Sequence, residues 1–200
     1  FPSIAPKHCL NFKKLCNSGF YDKTLFHRLI PNFMIQGGDI LTRDADPSND
    51  GTGNPGWTLD AEFNNIKHKK GILSMARGLD INSAGSQFFI CFSDATHLDG
   101  KYTAFGELID GHEVLDLMSN VISESKQIMK LSKNEIPKNQ DVSNWIEYKI
   151  NDKLIYFKVP IGINKKSYYN DIKNRISNKT RPHVPITIQK IRVVNNQDLN

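Results

Sequence analysis

Apolar positions along this 200-residue chain repeat first at helical and then at strand spacing. Cys9, Phe12, Leu15 and Cys16 recur on one helical face, Pro6 suits a first helical position and Gly19 a C-terminal stop, which predicts a helix over residues 5–19. Residues 24–30 and 33–37 then read as strands turned by Pro31-Asn32, and period-two alternation sorts Arg28, Ile30, Phe33 and Ile35 onto two faces, one for a core and one for a site. Residues 71–76 and 87–93 are apolar runs of strand length. In the second, Phe88 to Phe92 are apolar at every position, which requires cover on both faces, or a core on one and an apolar pocket on the other. Residues 103–109 read as a further strand, 111–118 as a helix with Val114, Leu115 and Met118 on one side, and 185–194 as a bulged final strand.

Between these elements, residues 41–58 are rich in Asp, Asn, Gly, Pro and Ser, which is loop chemistry. The glycines from Gly51 to Gly56 lack both the spacing and the Lys-Ser/Thr ending of a phosphate cradle. Further on, 145–150 and 154–158 read as a hairpin across Asn151-Asp152, followed by a short amphipathic helix carrying Tyr169, Ile172 and Ile176. A lone hairpin is marginal in water, so Trp145 and Tyr148 are expected to pack on that helix or on the main sheet.

Charge changes this picture in one place. The chain carries a formal net charge of +5, yet residues 1–118 hold 11 basic and 14 acidic side chains, and residues 119–182 hold 13 basic and 6 acidic. The basic excess therefore sits in one segment. Such a segment can meet acidic partners or nucleic acid, but a solvated Lys/Asn-rich surface is the commoner cause, and nucleic acid is the disfavoured partner. No run reaches 18 apolar residues, so no membrane span is predicted. Cys9 and Cys16 lie roughly 10 Å apart if they share a helix, beyond disulfide reach. With Cys91 they read as buried thiols, which favours a reducing, cytoplasmic compartment. Export stays open because the sequence starts at Phe1 rather than Met. The histidines show no zinc spacing, and no serine-histidine-acid arrangement is supported.

Three stretches carry a resemblance: Phe26 to Asp39, reading Phe-His-Arg-Leu-Ile-Pro-Asn-Phe-Met-Ile-Gln-Gly-Gly-Asp; Gly71 to Arg77 with Ser83 to Cys91; and His97 to Gly106. In this order they resemble the cyclophilins, the cyclosporin-binding family of peptidyl-prolyl cis-trans isomerases, over residues 4–118 with a short return at 181–194. The resemblance implies a mainly β fold, a cyclophilin-like antiparallel β-barrel capped by helices. In that family two strands precede the first helix, so this chain is expected to lack them. The domain reading is one cyclophilin-like domain over 1–200, with a basic insertion at about 119–182 and the closing strand at about 185–194.

The chemistry implied by the resemblance suits the residues. Rotation about an X–Pro bond must break amide resonance, against a barrier of about 18–20 kcal/mol. It needs no nucleophile, general acid or cofactor. A cationic donor that engages the pyramidal prolyl nitrogen better than the planar one lowers the barrier by differential binding. Arg28 matches the family's catalytic arginine and Gln36 its carbonyl-orienting glutamine. Phe33, Met34, Phe89 and Leu98 match the walls of the proline pocket, and Ala76 and Gln87 match backbone-binding and groove positions. Three positions depart from the best-known members. Arg77 replaces an asparagine whose main chain pairs with substrate, Tyr102 replaces a pocket histidine, and His97 stands where a tryptophan contacts cyclosporin, which implies weak binding of that drug. The expected function is isomerisation of proline-containing peptides or unfolded proteins. The alternative is a non-catalytic prolyl-peptide-binding chaperone or scaffold.

Overall fold

The structure is a computed structural model and describes residues 1–44 and 46–194. The chain divides into two compact units, Phe1–Val121 together with the chain from Val184, and Ile122–His183. In chain order the elements are α1 (Pro6–Asn17), β1 (Thr24–Leu25), β2 (Arg28–Ile30), β3 (Met34–Gly37), β4 (Ile72–Met75), β5 (Phe88–Cys91), β6 (Ala104–Glu107), α2 (His112–Ser119), α3 (Glu124–Met129), β7 (Trp145–Ile150), β8 (Lys153–Lys158), α4 (Lys165–Ser177) and β9 (Thr187–Ile188).

The first unit is built on an antiparallel sheet of strand order β2-β3-β5-β4-β6. Its two edges, β2 and β6, do not pair with each other, so among the described residues the sheet is open rather than a ring. The stretch read as one strand over 24–30 is broken at Phe26-His27 into two. β1 joins the two-residue β9, and β2 joins the main sheet. The final strand is correspondingly short, two residues instead of ten, because only Thr187 and Ile188 find partners.

Alternation along the strands divides the sheet as the sequence suggested. Leu29, Ile35, Met75 and Phe88 face the main core, where they meet Leu15 and Cys16 of α1. Phe12 of α1 lies with its ring 5.3 Å from Phe88 and 5.2 Å from Phe105, so the helix plugs the sheet through one aromatic cluster. Met34, Phe89 and Cys91 face the opposite way and belong to a second, smaller cluster. β5 thus supplies Phe88 to the core and Phe89 to the other face, the arrangement that an unbroken apolar run required.

The second unit, Ile122–His183, has its own core of Ile128, Ile146, Ile155, Phe157, Val159 and Ile172. The apolar residues of this segment, which the sequence marks as an insertion, close on one another. β7 and β8 form the predicted hairpin, and its turn places Asn151 and Asp152 at φ 44° and 63°, the left-handed pair that a tight two-residue connection needs. Tyr148 meets Tyr169 of α4 at a centroid distance of 5.8 Å, so the hairpin packs on the predicted amphipathic helix. The six-residue helix α3, capped by the Ser123 side chain, was not foreseen.

Candidate active site

The second face of the main sheet carries the predicted site. Register aligns Arg28 of β2 opposite Gln36 of β3, Gln36 opposite Phe89 of β5, and Phe89 opposite Ser74 of β4. One row across four strands therefore presents a guanidinium, an amide, a phenyl ring and a hydroxyl to the same side.

Polar contacts tie the row to a loop. Arg28 Nη1 donates to Gln36 Oε1 at 3.0 Å, and Gln36 Nε2 donates to Gln87 Oε1 at 2.9 Å. Gln87 Nε2 in turn donates to the carbonyls of Gly51 and Gly53, at 3.0 and 2.9 Å. The chain of donors ends in backbone and contains no carboxylate. Arg28 is half-buried, and among the described residues no acidic group pairs with it. Its burial draws the guanidinium pKa below the ordinary arginine value, opposed by the Tyr102 phenol.

Beside this row lies the apolar cluster of Met34, Phe89, Cys91, Ala95 and Leu98, with Ile30, Phe33, Ala76 and Tyr102 packed against it. Every residue expected to wall a proline pocket is in this group. Phe33 and Tyr102 are partly open, whereas Met34 is 1% exposed, Phe89 5% and Leu98 8%, so the rings and sulfur of the floor are held by their neighbours. His97 stands against Phe33 at a centroid distance of 5.2 Å. Tyr102 meets Phe89 edge-on at 5.9 Å, and Arg77 lies over the Tyr102 ring at 4.6 Å. A depression of about 250 Å³ adjoins the row, bounded by Gln36, Ala76, Arg77 and Gln87 and by the loop from Gly51 to Asn54.

Two supports were not read from the sequence. Asp39, wholly buried, accepts from the N–H groups of Gly51 and Gly53 and so anchors the loop that receives Gln87. His68 lies nearly parallel to Phe89 at 6.1 Å, with Nδ1 on Asp99 at 3.1 Å and Nε2 on Ser74 Oγ at 3.0 Å. An ionised Asp99 can only accept, so Nδ1 carries the proton and Nε2 accepts from the serine. The fold thus assembles a serine-histidine-acid relay where sequence spacing supported none. It is no nucleophile site, because Ser74 is 0% and His68 1% exposed. His68 packs under Phe89, a contact that only the three-dimensional pairing of β4 with β5 reveals. Burial pushes the neighbouring Cys91 thiol up to about 12, consistent with an inert thiol, and all three cysteines are free. Among the described residues no cluster of His, Cys, Asp or Glu could hold a metal ion, and no helix is long and apolar enough to cross a membrane.

A donor row beside an aromatic hollow, on one face of an antiparallel sheet plugged by a helix, defines a cyclophilin-type domain. The family model for cyclophilin type peptidyl-prolyl cis-trans isomerase/CLD matches residues 1–141, and the chain belongs to that family. The peptidyl-prolyl cis-trans isomerase B of Bacillus subtilis is 45% identical over 123 residues, covering 60% of this chain and 80% of that protein. A probable peptidyl-prolyl cis-trans isomerase of Brucella abortus is 41% identical over 120 residues, 58% of this chain, and the match spans only 61% of that relative's length. A cyclophilin type isomerase of Cryptosporidium parvum, crystallised in the presence of the dipeptide Ala-Pro, is similar with a TM-score of 0.55 and 36% identity, over 82% of this chain and 90% of that one.

Proposed function

We propose that this protein is a peptidyl-prolyl cis-trans isomerase acting on proline-containing peptides or unfolded chains. The observation that carries the reading is the in-register row of Arg28, Gln36 and Phe89 with a guanidinium that no described carboxylate neutralises. The proline ring, lacking a donor, enters the hollow of Phe33, Met34, Phe89 and Leu98, with Ala76 and Tyr102 at its border. Gln36, itself fixed by Gln87, orients the prolyl carbonyl. As the amide twists, its nitrogen becomes pyramidal and gains a lone pair, to which the Arg28 guanidinium donates. That interaction is absent in the planar ground state and so lowers the barrier. Each tenfold in rate requires about 1.4 kcal/mol of such preference. His97 in place of a tryptophan supports only weak cyclosporin binding.

The test is Arg28→Ala. Removing one electrostatic donor of this kind costs on the order of 10²–10³ in rate, and the half-buried side chain is not core, so folding should persist. Exchange spectroscopy on a short Ala-Pro peptide reads both isomers without a coupled protease. Parent-like turnover in the variant would abandon the catalytic role of Arg28 and leave the non-catalytic prolyl-binding reading.

A further inference from the structure

Arg77 sits where the apolar cluster meets the neighbouring depression, and its charge is left without a counter-ion. Its guanidinium stacks on Tyr102 at 4.6 Å and lies 6.0 Å from the Phe63 centroid. Nη1 donates to the carbonyls of Gly78 and Leu79, at 2.9 and 3.4 Å, and Nη2 donates to that of Lys101 at 3.1 Å. These acceptors are neutral. They fix the plane of the group but do not cancel its charge.

Among the described residues Arg77 has no salt bridge. Asp80, on the same loop, has its Oδ1 on the Asn82 N–H at 2.9 Å. Of the five guanidinium N–H donors, three are occupied by backbone, and the Nε–H is buried without a partner, which leaves one on Nη2. Arg28 donates to Gln36, and Gln36 and Arg77 line the same depression. A peptide crossing the groove therefore passes two guanidinium groups that no described carboxylate neutralises. A half-buried cation of this kind favours an anionic group brought near it.

We propose that Arg77 makes the groove selective for prolyl peptides carrying a carboxylate side chain within two residues of the proline. The proposal rests on the isomerase reading for the position of the proline. One remaining donor and an unneutralised charge favour a moderate, salt-sensitive selection rather than a bidentate clasp.

The experiment measures kcat/KM for short prolyl peptides with Glu, Gln or Lys placed in turn at each of the two positions before and after proline. At one of them Glu should exceed Lys by roughly three- to tenfold at low ionic strength. The ratio should shrink toward one in 1 M salt, where the screening length falls to about 3 Å. Arg77→Asn should collapse the ratio, Arg77→Glu invert it, and Arg77→Lys keep most of it. Because the readout is a ratio within one variant, a general loss of activity does not mimic it. Equal rates for Glu and Lys at every position, or a ratio that survives in Arg77→Asn, would overturn the proposal. Titration of the same peptides separates the two readings. Glu-selective binding without turnover removes the isomerase reading and keeps this one, turnover without selectivity does the reverse, and neither binding nor turnover removes both.

Discussion

At the scale of single residues, His68 shows how a site is held from behind. It supports Phe89 with a flat face, and its two ring nitrogens are committed to Asp99 and Ser74. Burial lowers its pKa, against the raising pull of Asp99. The unfolded chain, with a histidine pKa of about 6.5, then takes up a proton that the folded imidazole resists. The stability that His68 contributes is therefore present above about pH 6.5 and is lost as pH falls toward its depressed folded value. Denaturant midpoints measured from pH 7.5 to 5 should decline, and His68→Gln should flatten that decline while lowering stability overall. Asp99 belongs to a more acidic window. Its pKa is held down at about 2, first by the His68 backbone N–H, so its contribution is lost only below the ordinary carboxylate range.

Two turns carry predictions at the scale of elements. Gly38, which follows β3, has φ +85°, and a Cβ there would stand 2.5 Å from the Ser86 carbonyl oxygen. Gly38→Ala should destabilise the first unit by about 2–3 kcal/mol in urea unfolding, since neither a left-handed alanine nor a backbone clash can relax cheaply. In the β7–β8 turn, Asp152 pays a left-handed penalty at φ 63° that glycine does not. Asp152→Gly should raise the stability of the second unit by about 0.5–1 kcal/mol, read in the same experiment. These elements also mark how far the sequence could be read. The hairpin, α1 and the two-faced strand β5 follow from period and turn residues alone. The split of 24–30 between two sheets does not, because pairing with Thr187 and Ile188 is set by residues distant in the chain rather than by local propensity. The site residues came from motif resemblance. Their supports, Asp39, His68 and Ser74, carry no local pattern and appear only when the strands are in register.

At the scale of the whole molecule, the residues proposed for prolyl chemistry all lie in the first unit, while Ile122–His183 closes its own core. Replacing 122–183 by a short Gly-Ser linker should therefore preserve isomerisation of a small prolyl peptide to within a few-fold, and a loss of all activity in a folded variant would assign the second unit a part in the reaction. Another consequence follows from the Arg28–Gln36–Gln87 relay, which ends on peptide carbonyls and includes no group that gains or loses a proton near neutrality. Such a machine has nothing to titrate. An enzyme of this build would keep its pace across the range from mild acid to mild alkali in which hydrolases rise and fall, and its output would follow the supply of prolines rather than the acidity around it.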